Sequence, residues 1–193
     1  DLDNPIELFK KWFSKAEESE INDPNAVAVA TSNKNNQPNV RMVLLKGLSD
    51  KGFVFYTNFD SKKGIELKEN QKASMCFHWK SLRRQVRVVG KVEVVSEKEA
   101  DEYYNSRPYK NRISAWASSQ SKTLDKRETF LKKIKEFEKK YPDEKNVPRP
   151  PHWSGWRVIQ NEIEFWFDGE GRIHEILNYK SNNGKWEKEL LYP

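Results

Sequence analysis

The chain has 193 residues, of which 36% are hydrophobic and 33% charged, with a formal net charge of +6. An aromatic content of 12%, with 7 Trp, excludes a disordered chain, and a single cysteine excludes an internal disulfide. No apolar run approaches the roughly 20 residues of a membrane-crossing helix, and no signal peptide is recognisable, so the composition predicts a cytoplasmic protein without a membrane partner. One domain over residues 1–193 is expected, its core complete in itself or finished by dimerisation.

In chain order, Pro5 to Glu18 reads as a helix, with Ile6, Phe9, Trp12 and Phe13 at helical spacing. Asp23-Pro24-Asn25 breaks it. Strands follow over Ala26–Ser32, Val40–Lys46 and Gly52–Asn58, separated by the turn-forming Asn33–Pro38 and Ser49–Gly52. Ser61 is placed to cap a helix running to about Asn70. Lys72–Trp79 and Gln85–Val95 are further strands, and Cys76 lies in the first of them as a buried structural thiol. The pattern then turns helical over Glu97–Arg107, Asn111–Ser118 and Leu124–Tyr141. Many of the lysines fall between Lys132 and Lys145, alternating with Glu as on a solvated helix face, so the positive balance argues little for a polyanionic partner. A rigid connector, Asn146–Pro151, leads to strands at Trp156–Gln160, Ile163–Phe167 and Arg172–Tyr179. Asn182-Asn183-Gly184 then turns the chain into Trp186–Leu191. Short strands joined by tight turns predict an α+β fold built on an antiparallel barrel with flanking helices. No Gly-rich phosphate loop occurs, so a phosphate ligand has to be held by side chains.

Several segments carry cations in telling places. In Arg41-Met42-Val43-Leu44-Leu45-Lys46, strand alternation sends Arg41 and Val43 to one face and Met42, Leu44 and Lys46 to the other. Two charges at the ends of an apolar strand either meet anions or simply reach water, and the second reading is the plainer one. Lys62 and Lys63 stand in the first turn of a helix, where the dipole disfavours cations unless an anion joins them; ordinary surface lysine is the other reading. Tyr103 and Arg107 share one helix face, a pairing suited to phosphate capture and equally to surface stacking. Arg172 and His174 alternate onto one side of the expected strand. One Cys and three scattered His (His78, His152, His174) make no metal set, and no catalytic triad or carboxylate pair is present.

Taken in order, these segments resemble the pyridoxine/pyridoxamine 5′-phosphate oxidase family. The resemblance runs through Arg-Met-Val-Leu-Leu-Lys (41–46), Phe-Tyr-Thr-Asn (55–58), Ser-Lys-Lys (61–63) and Arg-Gln-Val (84–86). It continues through Tyr-x-x-x-Arg-Pro (103–108), Ala-Trp-x-Ser-x-Gln-Ser (115–121), Ile-Glu-Phe-Trp (163–166), Arg-Ile-His (172–174) and Leu-x-Pro (191–193). It implies an FMN-binding split β-barrel acting as a homodimer with FMN at the subunit interface. The activity implied is oxidation of pyridoxine or pyridoxamine 5′-phosphate to pyridoxal 5′-phosphate, with O₂ reduced to hydrogen peroxide.

By the same resemblance, Arg41, Lys63, Gln85, Gln120, Ser121 and Trp166 match FMN-binding positions. Tyr56 and Thr57 line that site with Met42, Val43, Leu44 and Lys46, and Lys62 stands where the family often has Arg. Lys46, Tyr103, Arg107 and Asn111 match positions that hold the substrate phosphate. Arg172 and His174 match the catalytic positions that flank the substrate ring. The family usually follows Arg-x-His with Asp-Arg, whereas this chain has Glu175-Ile176 and lacks that cation. Two rival expectations are a split-barrel FMN oxidase acting on another substrate, as in the phenazine pathway, and a non-catalytic barrel that binds flavin, pyridoxal phosphate or nucleic acid. A nucleic-acid surface calls for an aromatic ladder interleaved with cations, which the strands lack.

Overall fold

The computed structural model describes residues 3–193; the first two residues of the expected domain lie outside the described residues. Helix α1 (Pro5–Ser19) starts where Asn4 accepts a hydrogen bond from the Ile6 amide and Pro5 occupies the first turn. Its apolar stripe seats Phe9 edge-on against Phe53 and Phe77, with ring centroids 5.0 Å away in each case. Burying a ring this completely contributes about 1.5–3 kcal/mol.

The strands are β1 (Ala26–Ser32), β2 (Pro38–Leu44), β3 (Gly47–Ser49), β4 (Gly52–Asn58), β5 (Lys72–Trp79), β6 (Arg84–Val94), β7 (Trp153–Phe167), β8 (Glu175–Asn182) and β9 (Lys185–Leu191). They form one antiparallel sheet in the order β2-β1-β5-β6-β7-β4-β3, with β8 and β9 added at β7. β7 is the strand that splits the sheet. Its first half pairs with β4 and its second with β8, while β6 runs beside nearly all of it. Strict alternation along β1, β5 and β6 fills one core with Val27, Val29, Met75, Phe77, Val86 and Val88.

The expected elements are present with ends shifted by a few residues, and three differ in kind. The two strands expected at 156–160 and 163–167 are one strand of 15 residues, starting at Trp153. A bulge absorbs the interruption: Val89 pairs with Glu162 and Gly90 with Gln160, which leaves Asn161 as the extra residue. A Cβ on Gly90 would stand 1.9 Å from the Ile159 carbonyl oxygen, so the bulge needs glycine there. The strand expected from Arg172 begins only at Glu175, because Glu170–Arg172 forms a 3-10 turn in which Gly171 and Arg172 are both left-handed, at φ 65° and 63°. The alternation argument for Arg172 and His174 therefore fails. Finally, β3 pairs with β4 where only a turn was expected.

Helix α2 (Lys62–Glu69) is capped by Ser61, whose side chain accepts from the Gly64 amide. Helices α3 (Glu97–Ser106), α4 (Tyr109–Ala117) and α5 (Arg127–Lys140) pack over a smaller second core of Tyr104, Ile113, Val147 and Trp153. No helix among the described residues is long and apolar enough to cross a membrane.

Candidate functional site

The second core opens onto a cavity of about 330 Å³. β2 supplies Met42, Val43 and Leu44, β4 supplies Tyr56, Thr57 and Asn58, and α3 supplies Tyr103, while Arg107 follows as the extended residue that ends that helix and does not continue its face. Three rings form one wall. Tyr56 stacks on Tyr103 at 4.1 Å and on Trp153 at 5.2 Å, with interplanar angles of 22° and 14°. The Arg107 guanidinium lies over the Trp153 ring, 4.8 Å from its centroid. Its Nη1 is buried without a hydrogen-bond partner, and no carboxylate pairs with Arg107 among the described residues. Burial holds its pKa below the usual guanidinium range. The same burial, aided by Glu99, pushes the Tyr56 phenol up to about 12, so it stays protonated and neutral at physiological pH.

A second cavity, of about 430 Å³, shares Met42, Lys63 and Gln120 with the first and adds Arg41, Lys62 and Ser121. The two make one continuous groove. Lys63 is 7% exposed, and its ammonium meets the Thr57 hydroxyl at 3.2 Å. Burial and the neighbouring Arg41 both lower its pKa. Arg41 donates to the Val29 carbonyl oxygen at 3.2 Å and to the Thr31 hydroxyl, and lies 3.8 Å from the buried Glu66 carboxylate. Gln120 Oε1 accepts from the Thr57 hydroxyl and the Asn58 amide, which ties the segment after α4 to the end of β4. Ser121 follows in a left-handed conformation, at φ 68°.

Buried Lys63 and half-buried Arg107 have no carboxylate partner among the described residues, which is costly, and an anion at each end of the groove would relieve both. A phosphate-bearing flavin fits the Arg41, Lys63 and Ser121 end by this chemistry.

Of the positions expected from sequence, the groove collects Arg41, Met42, Val43, Leu44, Lys46, Tyr56, Thr57, Lys62, Lys63, Tyr103, Arg107, Gln120 and Ser121. Lys62 is exposed whereas Lys63 is buried. Asn111 lies outside the lining, in the first turn of α4, and Ser114 one turn later lines the cavity in its place. Trp153 was missed, since nothing marked it beyond an aromatic following the proline-rich connector.

Gln85, Trp166, Arg172 and His174 line neither cavity. They gather elsewhere. Gln85 pairs opposite Trp166 across β6 and β7, and the Trp166 ring lies 4.7 Å from that of His174. His174 Nδ1 is 3.1 Å from the Gly169 amide and 3.2 Å from the Asp168 carboxylate. Arg172 is exposed.

A split antiparallel barrel with a groove carrying cations at both ends defines the flavin-binding split-barrel class. Residues 13–141 match the family model described as "Pyridoxamine 5'-phosphate oxidase", and residues 153–193 match "Pyridoxine 5'-phosphate oxidase C-terminal dimerisation region". The chain is 59% identical over 191 residues to the pyridoxine/pyridoxamine 5'-phosphate oxidase of Pelagibacter ubique, covering 98% of this chain and 92% of that one. It is 53% identical to the protein of the same name from Agrobacterium fabrum, with the same coverage. The solved structure of PhzG from Burkholderia lata superposes with a TM-score of 0.93 at 29% identity, covering 100% of this chain and 94% of that one. The chain belongs to the pyridoxamine 5′-phosphate oxidase family, and is a flavin-dependent oxidoreductase.

Proposed function

We propose that this protein oxidises pyridoxine 5′-phosphate or pyridoxamine 5′-phosphate to pyridoxal 5′-phosphate, with FMN as its flavin and O₂ as the final acceptor. The observation that carries the reading is one groove with a cation at each end that no carboxylate pairs among the described residues, buried Lys63 at one and half-buried Arg107 at the other. Two phosphates, one from cofactor and one from substrate, answer two such ends. Relatives at 51–59% identity bear this activity in their names, against 29% for the phenazine-pathway protein.

Arg41, Lys63, Gln120 and Ser121 hold the FMN phosphate end, with Lys62 at its rim. Met42, Val43, Leu44, Tyr56 and Thr57 line the path between the ends. Arg107, Tyr103 and Lys46 bind the substrate phosphate, Arg107 through the paired donors of its guanidinium. Bound FMN supplies the acceptor for the hydride leaving the substrate's C4′ carbon, and O₂ takes the electrons on to hydrogen peroxide. The residues of this chain contribute binding, orientation and exclusion of water, which is the proximity share of catalysis. The alcohol needs nothing further; the amine is released as ammonia after one water adds.

The protein works as a homodimer with FMN at the interface, and Gln85, Trp166, Arg172 and His174 reach the groove from the second subunit. What supports this is the match of residues 153–193 to a dimerisation region. The exposed apolar row Val40, Met42 and Leu44 along β2 agrees, since a second subunit covers it. Both family matches fall within one continuous sheet, which supports a single domain, and the cytoplasm suits the lone thiol. Purified protein loaded with FMN and given pyridoxamine 5′-phosphate should release peroxide and the aldehyde in equal amounts. A flavin-loaded protein that leaves this substrate untouched would sink the reading.

A further inference from the structure

Arg149 lies in the extended connector between α5 and β7 and lines neither cavity. Its side chain is nevertheless 9% exposed and bonded through all three nitrogens. Nε donates to the Asp101 carboxylate at 2.7 Å, Nη1 donates to the Trp153 carbonyl oxygen at 2.8 Å, and Nη2 pairs with Glu97. Glu97 and Asp101 stand four residues apart on α3, the helix that carries Tyr103 and ends at Arg107. Trp153 is the ring on which Tyr56, Tyr103 and Arg107 are assembled. One guanidinium thus grips both the helix that presents the phosphate-binding side chains and the backbone of the platform beneath them.

We propose that Arg149 is a positioning residue for recognition of the substrate phosphate, fixing the spacing between α3 and Trp153 and so the aim of Arg107. The helix needs such a clamp because only Ala100 and Tyr104 of α3 are buried. Apolar packing alone holds it weakly. Arg157 of β7 grips Glu99 at 2.6 Å and Glu93 at 3.1 Å, which secures the same acidic turn against the sheet. Arg112 closes the far end by donating to the Arg107 carbonyl oxygen at 3.0 Å. A planar fork is required at position 149: its donors leave in fixed directions toward two carboxylates and a carbonyl, a pattern a lysine ammonium cannot hold rigidly.

The inference rests on the reading that Arg107 meets the substrate phosphate, so its test measures that reading too. Steady-state kinetics with pyridoxamine 5′-phosphate are compared for the flavin-loaded wild type, Arg149→Lys, Arg107→Lys and the double variant. Arg149→Lys should raise KM about tenfold, with kcat within about twofold and flavin affinity, read by fluorescence quenching, unchanged. On the Arg107→Lys background the same change should raise KM less than about twofold, because the clamp acts through the residue already altered. Equal factors on both backgrounds would mean general stabilisation and overturn the proposal. An unchanged KM in Arg149→Lys beside a raised KM in Arg107→Lys overturns it alone, and an unchanged KM in Arg107→Lys overturns it together with the reading beneath it. Should Arg149→Lys fold poorly, Asp101→Ala removes one partner at the exposed end of the clamp. It should raise KM about threefold, and no change in KM there overturns the proposal.

Discussion

Trp153 and Trp166 stand at opposite ends of the single strand β7, the first beneath Arg107 and the second against His174. Thirteen residues separate them (153 to 166), which at the rise of a β-strand is roughly 40 Å along the chain. If Arg107 and His174 serve the same small substrate, the expectation is that they come from two subunits related by a twofold axis.

Mixed dimers test this directly. Arg107→Ala and Arg172→Ala should each abolish most turnover, and Arg172→Ala should still bind flavin. Co-expressed, half the dimers combine the two lesions and regain one intact site of two, which recovers about one quarter of wild-type activity. Absence of recovery in isolated heterodimers would place both residues in one subunit's site.

Lys63 yields a trade of function against stability. Its ammonium is buried beside Arg41, with a single neutral partner, and its pKa lies below the ordinary 10.5. The unfolded chain, with the ordinary value, binds more protons than the folded one between the depressed pKa and 10.5, so this group makes apo-protein stability rise with pH across that window. Below it the folded state carries the full cost of the buried charge. Lys63→Met should raise the apo-protein Tm at pH 7 and flatten its rise as the pH approaches 10.5. The same substitution should weaken FMN binding on the order of 10- to 100-fold, the loss of a charge-assisted hydrogen bond. A lower Tm in the variant would mean that Lys63 has a compensating partner.

Most of the fold was legible because its signals are local. Asn4-Pro5 opens α1, Ser61 caps α2, and the alternation in Lys72–Trp79 and Arg84–Val94 marks two half-buried strands. What escaped depends on partners distant in sequence. The polar pair Gln160-Asn161 broke the apolar pattern of β7, and only the neighbouring strand β6 reveals the break as a bulge. Arg172 read as strand because alternation carries no record of the left-handed turn at Gly171. Within the site, cations spaced along short motifs were readable, but Trp153 was not, since its role comes from three rings and a guanidinium brought by other elements.

The bulge gives a sharp prediction of its own. Gly90 sits where any side chain would press on the Ile159 carbonyl, so Gly90→Ala must either straighten β7 or push β6 away. The expected cost is about 2–4 kcal/mol, read as a fall in the denaturant midpoint. Restoring room by deleting Asn161 in the same chain should recover part of that loss, because it removes the extra residue that creates the contact.

Ile176 offers the converse experiment, a gain. It pairs opposite Trp166, which pairs opposite Gln85, so the three form one row across β8, β7 and β6 on a single face. By the resemblance read from the sequence, Gln85 and Trp166 are expected to meet the flavin, and Ile176 stands where that resemblance leads one to expect a cation. Ile176 is only half-buried, so a longer side chain has room to extend along the face. Ile176→Arg should tighten FMN about tenfold, the gain of one charge-assisted contact to an anion, with kcat little changed. The affinity is read by quenching of flavin fluorescence on titration into apo-protein. An unchanged affinity would turn this face away from the cofactor and leave Arg41 and Lys63 as the cations that bind its phosphate.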